Sequence, residues 1–234
     1  MAPIKTLGLL GGMSWESTVL YYQLLNRRIR SVKGGHHSCP IILHSFDFQQ
    51  IYDLQVSGDW DGAAKLLLDA SHRLKDAGAE AIVICANTMH IQSEKIEPAT
   101  GIPVIHIADA TAAKIKESGH GKVALLGTRY TMEKEFLKGR LSEKHGLEVL
   151  VPEEADRKIV HDVIYEELAH GVIKKESKAE FKRIIEQMKE AGAECVILGC
   201  TEIPMLLEGE ELALPAFDTT TIHAGAAADW AMSK

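Results

Sequence analysis

Short apolar runs and longer amphipathic stretches alternate along this chain. Leu7-Gly-Leu-Leu is followed by a helical pattern from Trp15 to about Arg30, and Ile41-Ile-Leu-His-Ser reads as a second strand. A helix is predicted from about Trp60 to Ala77 and a strand at Ala81-Ile-Val-Ile-Cys. A short helix, a strand at Val104-Ile-His-Ile and a helix beginning near Ala108 follow. Near-continuous apolar strands separated by helices predict a mostly parallel sheet covered on both faces, the α/β class.

The pattern also repeats. Ala77-Gly-Ala-Glu-Ala-Ile-Val-Ile-Cys-Ala-Asn-Thr aligns without a gap with Ala191-Gly-Ala-Glu-Cys-Val-Ile-Leu-Gly-Cys-Thr-Glu. Leu7-Gly-Leu-Leu-Gly-Gly parallels Val123-Ala-Leu-Leu-Gly-Thr, and Ile102-Pro-Val-Ile-His parallels Leu214-Pro-Ala-Phe-Asp, in the same order. Part of this likeness is generic, because Ala-Gly-Ala before a buried strand is an ordinary helix-to-strand turn. Three ordered matches nevertheless imply an internal duplication. The expected architecture is two pseudo-symmetric parallel-sheet α/β lobes, residues 1–106 with 218–234 forming an N-terminal lobe and 107–217 a C-terminal lobe. Ligands of open parallel sheets bind beyond the carboxyl ends of the strands. Gly11-Gly-Met-Ser, Asn87-Thr-Met-His, Gly127-Thr-Arg-Tyr-Thr and Cys200-Thr-Glu all follow apolar strands directly, so an active site in the interlobe cleft is expected.

Composition narrows the class. With 234 residues, 46% of them hydrophobic, the chain can bury the cores of two small domains. A net charge of -7 without a concentrated Lys/Arg face argues against a nucleic-acid partner. Arg27, Arg28, Arg30 and Lys33 read as a solvated helix face and its end. No apolar run reaches the roughly 18 residues that span a bilayer, and Met1 to Lys5 leads into a strand rather than resembling a signal peptide. The expectation is a cytoplasmic protein with no membrane partner. Four cysteines are too sparse for a disulfide scaffold, so reduced thiols are expected.

One of those thiols stands out. Cys200 follows the strand Cys195-Val-Ile-Leu-Gly and precedes the helix-like Glu202-Ile-Pro-Met-Leu-Leu, a helix N-terminus where a thiolate is stabilised. The competing reading is a buried structural cysteine, which Cys39 and Cys195 fit. The repeat aligns Cys200 with Ala86 and sets Cys85 opposite Gly199. A thiol in each half would suit removal of a proton from one face of a substrate carbon and its return from the other, without a cofactor; here one half offers alanine. His90, His106 and His223 are scattered and read as structural or surface residues, with no zinc-like spacing. His36, His37 and Cys39 beside Gly34-Gly35 read as a solvated turn rather than a metal site. Gly8-Leu-Leu-Gly-Gly is neither a dinucleotide fingerprint nor a P-loop. The amphipathic helix from Trp15 fits a dimer face or core packing equally.

Gly-Leu-Leu-Gly-Gly-Met-Ser-Trp-Glu-Ser at 8–17, Asn-Thr-Met-His at 87–90, Leu-Gly-Thr-Arg-Tyr-Thr-Met at 126–132 and Gly-Cys-Thr-Glu-Ile at 199–203 together resemble the aspartate/glutamate racemase family. The resemblance covers essentially the full length. It implies a pseudo-symmetric two-domain fold, dimers, and cofactor-independent racemisation with paired cysteines flanking the substrate α-carbon. The family's second cysteine matches Cys200, while the position of its first is Ala86. A subgroup similar to this sequence has threonine there and acts on L-aspartate or L-glutamate, but alanine cannot carry a proton. Asn87, Thr88, Thr128 and Thr201 match family positions that hold the substrate's carboxylate and amino groups, a task suited to short polar side chains, although each also suits a helix cap. Met13 and Gln55 line the cleft by the same resemblance. Glu202 is a supporting group near Cys200 or an ordinary carboxylate of a first helical turn.

The leading expectation is therefore an aspartate or glutamate racemase in which Cys200 exchanges the α-proton on one face, with no cofactor and no metal. Two rivals stand beside it: an amino-acid-binding pseudoenzyme or inactivated variant, and a one-thiol carbanion enzyme such as a decarboxylase.

Overall fold

The computed structural model describes residues 3–234. Among the described residues, eight strands form two four-stranded sheets. The first contains β1 (Leu7–Gly11), β2 (Ile41–Ser45), β3 (Ala81–Ile84) and β4 (Val104–Ile105) in the order β2-β1-β3-β4. The second contains β5 (Lys122–Gly127), β6 (Glu148–Leu150), β7 (Cys195–Gly199) and β8 (Ala216–Asp218) in the order β6-β5-β7-β8. Every pairing is parallel, and the two orders are the same once numbering restarts at β5. The helices are α1 (Trp15–Lys33), α2 (Phe48–Ser57), α3 (Trp60–Asp76), α4 (Ser93–Thr100), α5 (Ile107–Glu117), α6 (Arg129–Glu133), α7 (Glu135–Gly139), α8 (Glu154–Glu166), α9 (Lys175–Glu190), α10 (Ile203–Leu206) and α11 (Thr219–Met232).

The chain divides into two compact units, residues 1–106 with 223–234 and residues 107–222. In the first, the period-two alternation of the strands serves both faces of the sheet. Leu7, Leu9, Val83 and Cys85 pack with Tyr21, Leu25 and Ile29 of α1 and Ala224, Ala227 and Ala228 of α11. Leu10, Ile82 and Ile84 pack with Leu67 and Leu74 of α3 and Ile51 of α2. Gly8 permits the close approach of the turn after α3, since a Cβ there would lie 2.8 Å from Ala79 Cβ.

The second unit repeats the scheme. Ala124, Leu126, Val196 and Leu198 face Val160 and Val163 of α8 and Phe181, Ile184 and Ile185 of α9. Val123, Leu125, Cys195 and Ile197 face Ile107, Ala108, Ala112 and Ile115 of α5. Asp109 of α5 accepts hydrogen bonds from Arg140 (2.7 Å), Lys144 (2.9 Å) and His145 (2.7 Å), which anchor this helix within its unit. The helix that follows β4 thus belongs to the second unit, and most of the helix that follows β8 belongs to the first.

One expectation about an element is corrected. The strand read at Val104-Ile-His-Ile contains only Val104–Ile105. His106 leaves the sheet, and Ile107 already begins α5. Helix α2 was not legible as an element; Asp47 caps its start through Gln49 N and Gly58 (φ 76°) ends it. Among the described residues no helix is long and apolar enough to cross a membrane.

Candidate active site

Strand register makes the duplication quantitative at the ends that matter. In the first sheet Leu7 pairs with Ala81 and Leu10 with Ile84. In the second Val123 pairs with Cys195 and Gly127 with Gly199. Continuing the first register by one step pairs Gly11 with Cys85, so Ala86 and Cys200 are equivalent residues, each just beyond the carboxyl end of a central strand. Close packing of β5 on β7 requires the two glycines: a Cβ on Gly127 would lie 2.9 Å from Gly199 O, and one on Gly199 would lie 2.8 Å from Leu126 O.

The second unit gathers Thr128, Cys200, Thr201 and Glu202 at this end of its sheet. Cys200 is partly exposed, unlike Cys39, Cys85 and Cys195, which are buried. Its Sγ donates to Glu202 Oε2 at 2.9 Å, and Thr201 Oγ1 donates to the same oxygen at 2.6 Å. Desolvation, followed by the Glu202 charge and its hydrogen bond, pushes the Cys200 thiol well above its ordinary range. This corrects the expectation of a thiolate stabilised by a helix N-terminus. Helix α10 has only four residues, and backbone N–H groups of Thr201 and Glu202 act in the lowering direction against larger opposing effects. The free protein holds a neutral thiol hydrogen-bonded to the Glu202 side chain. Glu202 is therefore in direct contact with the sulfur and is more than a dipole-matching residue. Thr128 caps α6, its Oγ1 accepting from Thr131 N at 3.3 Å, the structural role open to it from sequence.

The first unit gathers the remaining predicted positions. Met13, Ala86 and Met89 share one core cluster. Gln55 on α2 is buried and directs Nε2 to Met89 Sδ at 3.1 Å. Asn87 and Thr88 are buried at the start of a 3-10 turn, Thr88–Gln92. Ser17 Oγ donates to Cys85 O at 2.8 Å, tying α1 to the same loop. Cys85 is fully buried, and desolvation pushes its thiol up. It is thus no substitute for the thiol absent at position 86.

Sequence spacing did not reveal the support beneath that loop. His90 Nδ1 donates to the Ala86 carbonyl at 2.8 Å. The His90 ring lies 4.9 Å from that of His106 and 5.3 Å from that of His223, centroid to centroid. His223 Nε2 donates to Ile105 O at 2.6 Å, and its Nδ1 accepts from Tyr21 OH at 2.7 Å. All three histidines are buried. Burial holds His90 well below the ordinary imidazole range and His223 at about 4, so these two are neutral at pH 7. The four residues are far apart in sequence and carry no common motif, which is why only the fold assembles them.

The chain is thus a duplicated parallel α/β protein with a thiol–carboxyl pair at the carboxyl end of one central strand, the end at which such sheets bind ligands. The Asp/Glu/hydantoin racemase family profile matches residues 10–227, and the chain belongs to that family. Membership makes it a racemase, and hence an isomerase, by descent. The chain is 52% identical to a candidate Asp/Glu racemase of known structure from Yersinia pestis, with a TM-score of 0.93 over 98% of this chain and 100% of that one. An aspartate racemase homologue from Pyrococcus horikoshii OT3 is 35% identical, with a TM-score of 0.83 over 98% and 100%. The broad specificity amino-acid racemase RacX of Bacillus subtilis (strain 168) is 23% identical across 92% of each chain.

Proposed function

We propose that this protein is a cofactor-independent racemase of aspartate or glutamate in which Cys200 exchanges the α-proton on one face of the substrate. The observation that carries the reading is the 2.9 Å hydrogen bond from Cys200 Sγ to Glu202 Oε2 at the carboxyl end of β7. Transfer of the thiol proton to Glu202 leaves a thiolate, and that thiolate takes the α-proton, leaving a carbanion. Return of a proton to the same face gives exchange, and return to the opposite face gives inversion. Asn87, Thr88, Thr128 and Thr201 hold the α-carboxylate and amino groups through short polar side chains, with Met13 and Gln55 against the substrate. At position 86, the family's first cysteine position, alanine supplies no proton, so inversion at that face requires water and is slower than exchange.

Incubating each enantiomer of aspartate and glutamate in deuterium oxide and following the α-proton by NMR tests this reading. Loss of the α-proton signal faster than optical inversion is the expected result. No exchange from any enantiomer, with binding retained, would instead leave an amino-acid receptor, and release of carbon dioxide from a malonate-type acid would assign a one-thiol decarboxylase. The reading extends to a homodimer, supported by the exposed Trp15, Val19 and Tyr22, which lie at helical spacing on α1. A monomeric mass by light scattering at micromolar concentration overturns that part.

A further inference from the structure

We propose that Arg129 binds the side-chain carboxylate of an acidic amino-acid substrate whose α-carbon lies at Cys200, and so selects dicarboxylic over neutral amino acids. The inference rests on the racemase reading for the position of the α-carbon and adds the residue that reads the substrate's second charge.

Its first support is placement. Gly127 and Gly199 are register partners on adjacent parallel strands, and adjacent strands lie about 4.8 Å apart. The chain leaves β5 through Thr128 and Arg129 beside the point where it leaves β7 through Cys200. Thr128 is buried and Arg129 is exposed, so the exposed cation follows the carboxyl end of β5, adjacent to the end of β7 that carries the thiol. A dicarboxylic amino acid with its α-carbon at the sulfur has its second carboxylate one or two methylenes away, within the span of an arginine side chain.

The second support is charge pairing. The second unit has four arginines. Arg140 pairs with Asp109, Arg157 with Glu133 and Arg183 with Asp156. Among the described residues no carboxylate forms an ion pair with Arg129, the arginine nearest the candidate site along the chain. Arginine presents a planar fork of donors that matches a carboxylate in two parallel hydrogen bonds.

The third support is preorganisation. The Arg129 guanidinium lies 5.6 Å from the Tyr130 ring centroid, and that ring meets His161 of α8 edge-on at 6.1 Å. Arg129 N donates to His161 Nδ1 at 3.2 Å, which fixes the backbone from which the side chain departs. His161 is in turn packed on Tyr165 at 4.7 Å. Burial, reinforced by Arg129, lowers the His161 pKa, which keeps Nδ1 free to accept. A stacked guanidinium on a pinned backbone loses less freedom on binding than a mobile one.

The test is calorimetric titration of the full-length protein and its R129M and R129K variants with L-aspartate, L-glutamate, L-asparagine and L-glutamine, together with α-proton exchange on the same four. Arg129 is exposed, so neither variant threatens folding. For R129M the dissociation constants of the two acids are expected to rise about tenfold or more, the loss of a charge-assisted pair. Those of the two amides should stay within about twofold of wild type by the same reasoning. R129K should fall between, keeping the charge without the fork. Unchanged binding of the acids to R129M overturns the proposal even when wild-type exchange supports the racemase reading. Acid-selective binding that R129M abolishes, without any α-proton exchange, upholds Arg129 and overturns the racemase. Failure of wild type to bind either acid overturns both.

Discussion

At Cys200 the sulfur and its neighbouring carboxylate control one another. Because the Glu202 charge is among the causes that raise the thiol's pKa, Glu202→Gln should let the thiolate appear at lower pH, read by thiolate absorbance or by the pH dependence of alkylation. The same variant removes the group proposed to receive the proton, so α-proton exchange should fall about 10²-fold or more while the thiol becomes easier to ionise. An alkylation profile unmoved by Glu202→Gln would show that the carboxylate does not act on the sulfur. Cys200→Ser should lose exchange by a similar or larger factor, because a hydroxyl is a far weaker acid than a thiol. Cys200 was legible from its loop setting in sequence. Its protonation state was not, because that depends on how far the Glu202 side chain turns back toward Sγ and on how deeply the sulfur is desolvated.

Among the elements, the 3-10 turn Thr88–Gln92, the end of β4 and helix α11 meet at the histidine cluster. His223 has its pKa lowered from 6.5 to about 4, by burial and against the bond to Ile105 O. In that window the unfolded chain binds the proton and the folded chain does not, so stability rises with pH between about 4 and 6.5. The contribution of a neutral His223 is complete above pH 6.5 and lost as pH falls toward 4, by ~3 kcal/mol for this group. His90 shifts in the same direction and steepens the slope. Trp15, Trp60 and Trp230 all belong to the unit that contains the cluster, so urea unfolding followed by tryptophan fluorescence at several pH values reports on it. His223→Phe should lower the plateau near neutrality, because Tyr21 OH and Ile105 O lose their partner, and should flatten the acid slope. An undiminished slope would place the acid sensitivity elsewhere. In the first half the elements were legible from apolar periodicity, except helix α2, which buries only Ile51 and Gln55, too few for a stripe. In the second half the repeat located the central strands β5 and β7, and the helices α8 and α9 between them were not delimited. Strand β4 was overread because Ile107 resumes the apolar pattern after the single polar residue His106, although it already begins α5.

For the whole molecule, two sheets of the same strand order and equivalent register carry unequal chemistry at matching positions. The duplication was legible in three ordered sequence matches, and it is the strand pairing that makes Ala86 and Cys200 equivalent. Ala86 is nearly buried at 8% exposure, and its carbonyl is held by His90, so its backbone is fixed whatever side chain it bears. Ala86→Cys adds one sulfur at Cβ without asking the backbone to move, and it supplies the proton carrier that the first half lacks. The expected result is a rise in optical inversion relative to α-proton exchange, approaching one inversion per exchange, with Ala86→Thr giving a smaller rise because a hydroxyl donates less readily. Polarimetry and proton NMR on the same samples give the two rates. If Ala86→Cys folds with unchanged tryptophan fluorescence and leaves the ratio where it was, position 86 is not where the second proton is delivered. The asymmetry of the two halves then has another source.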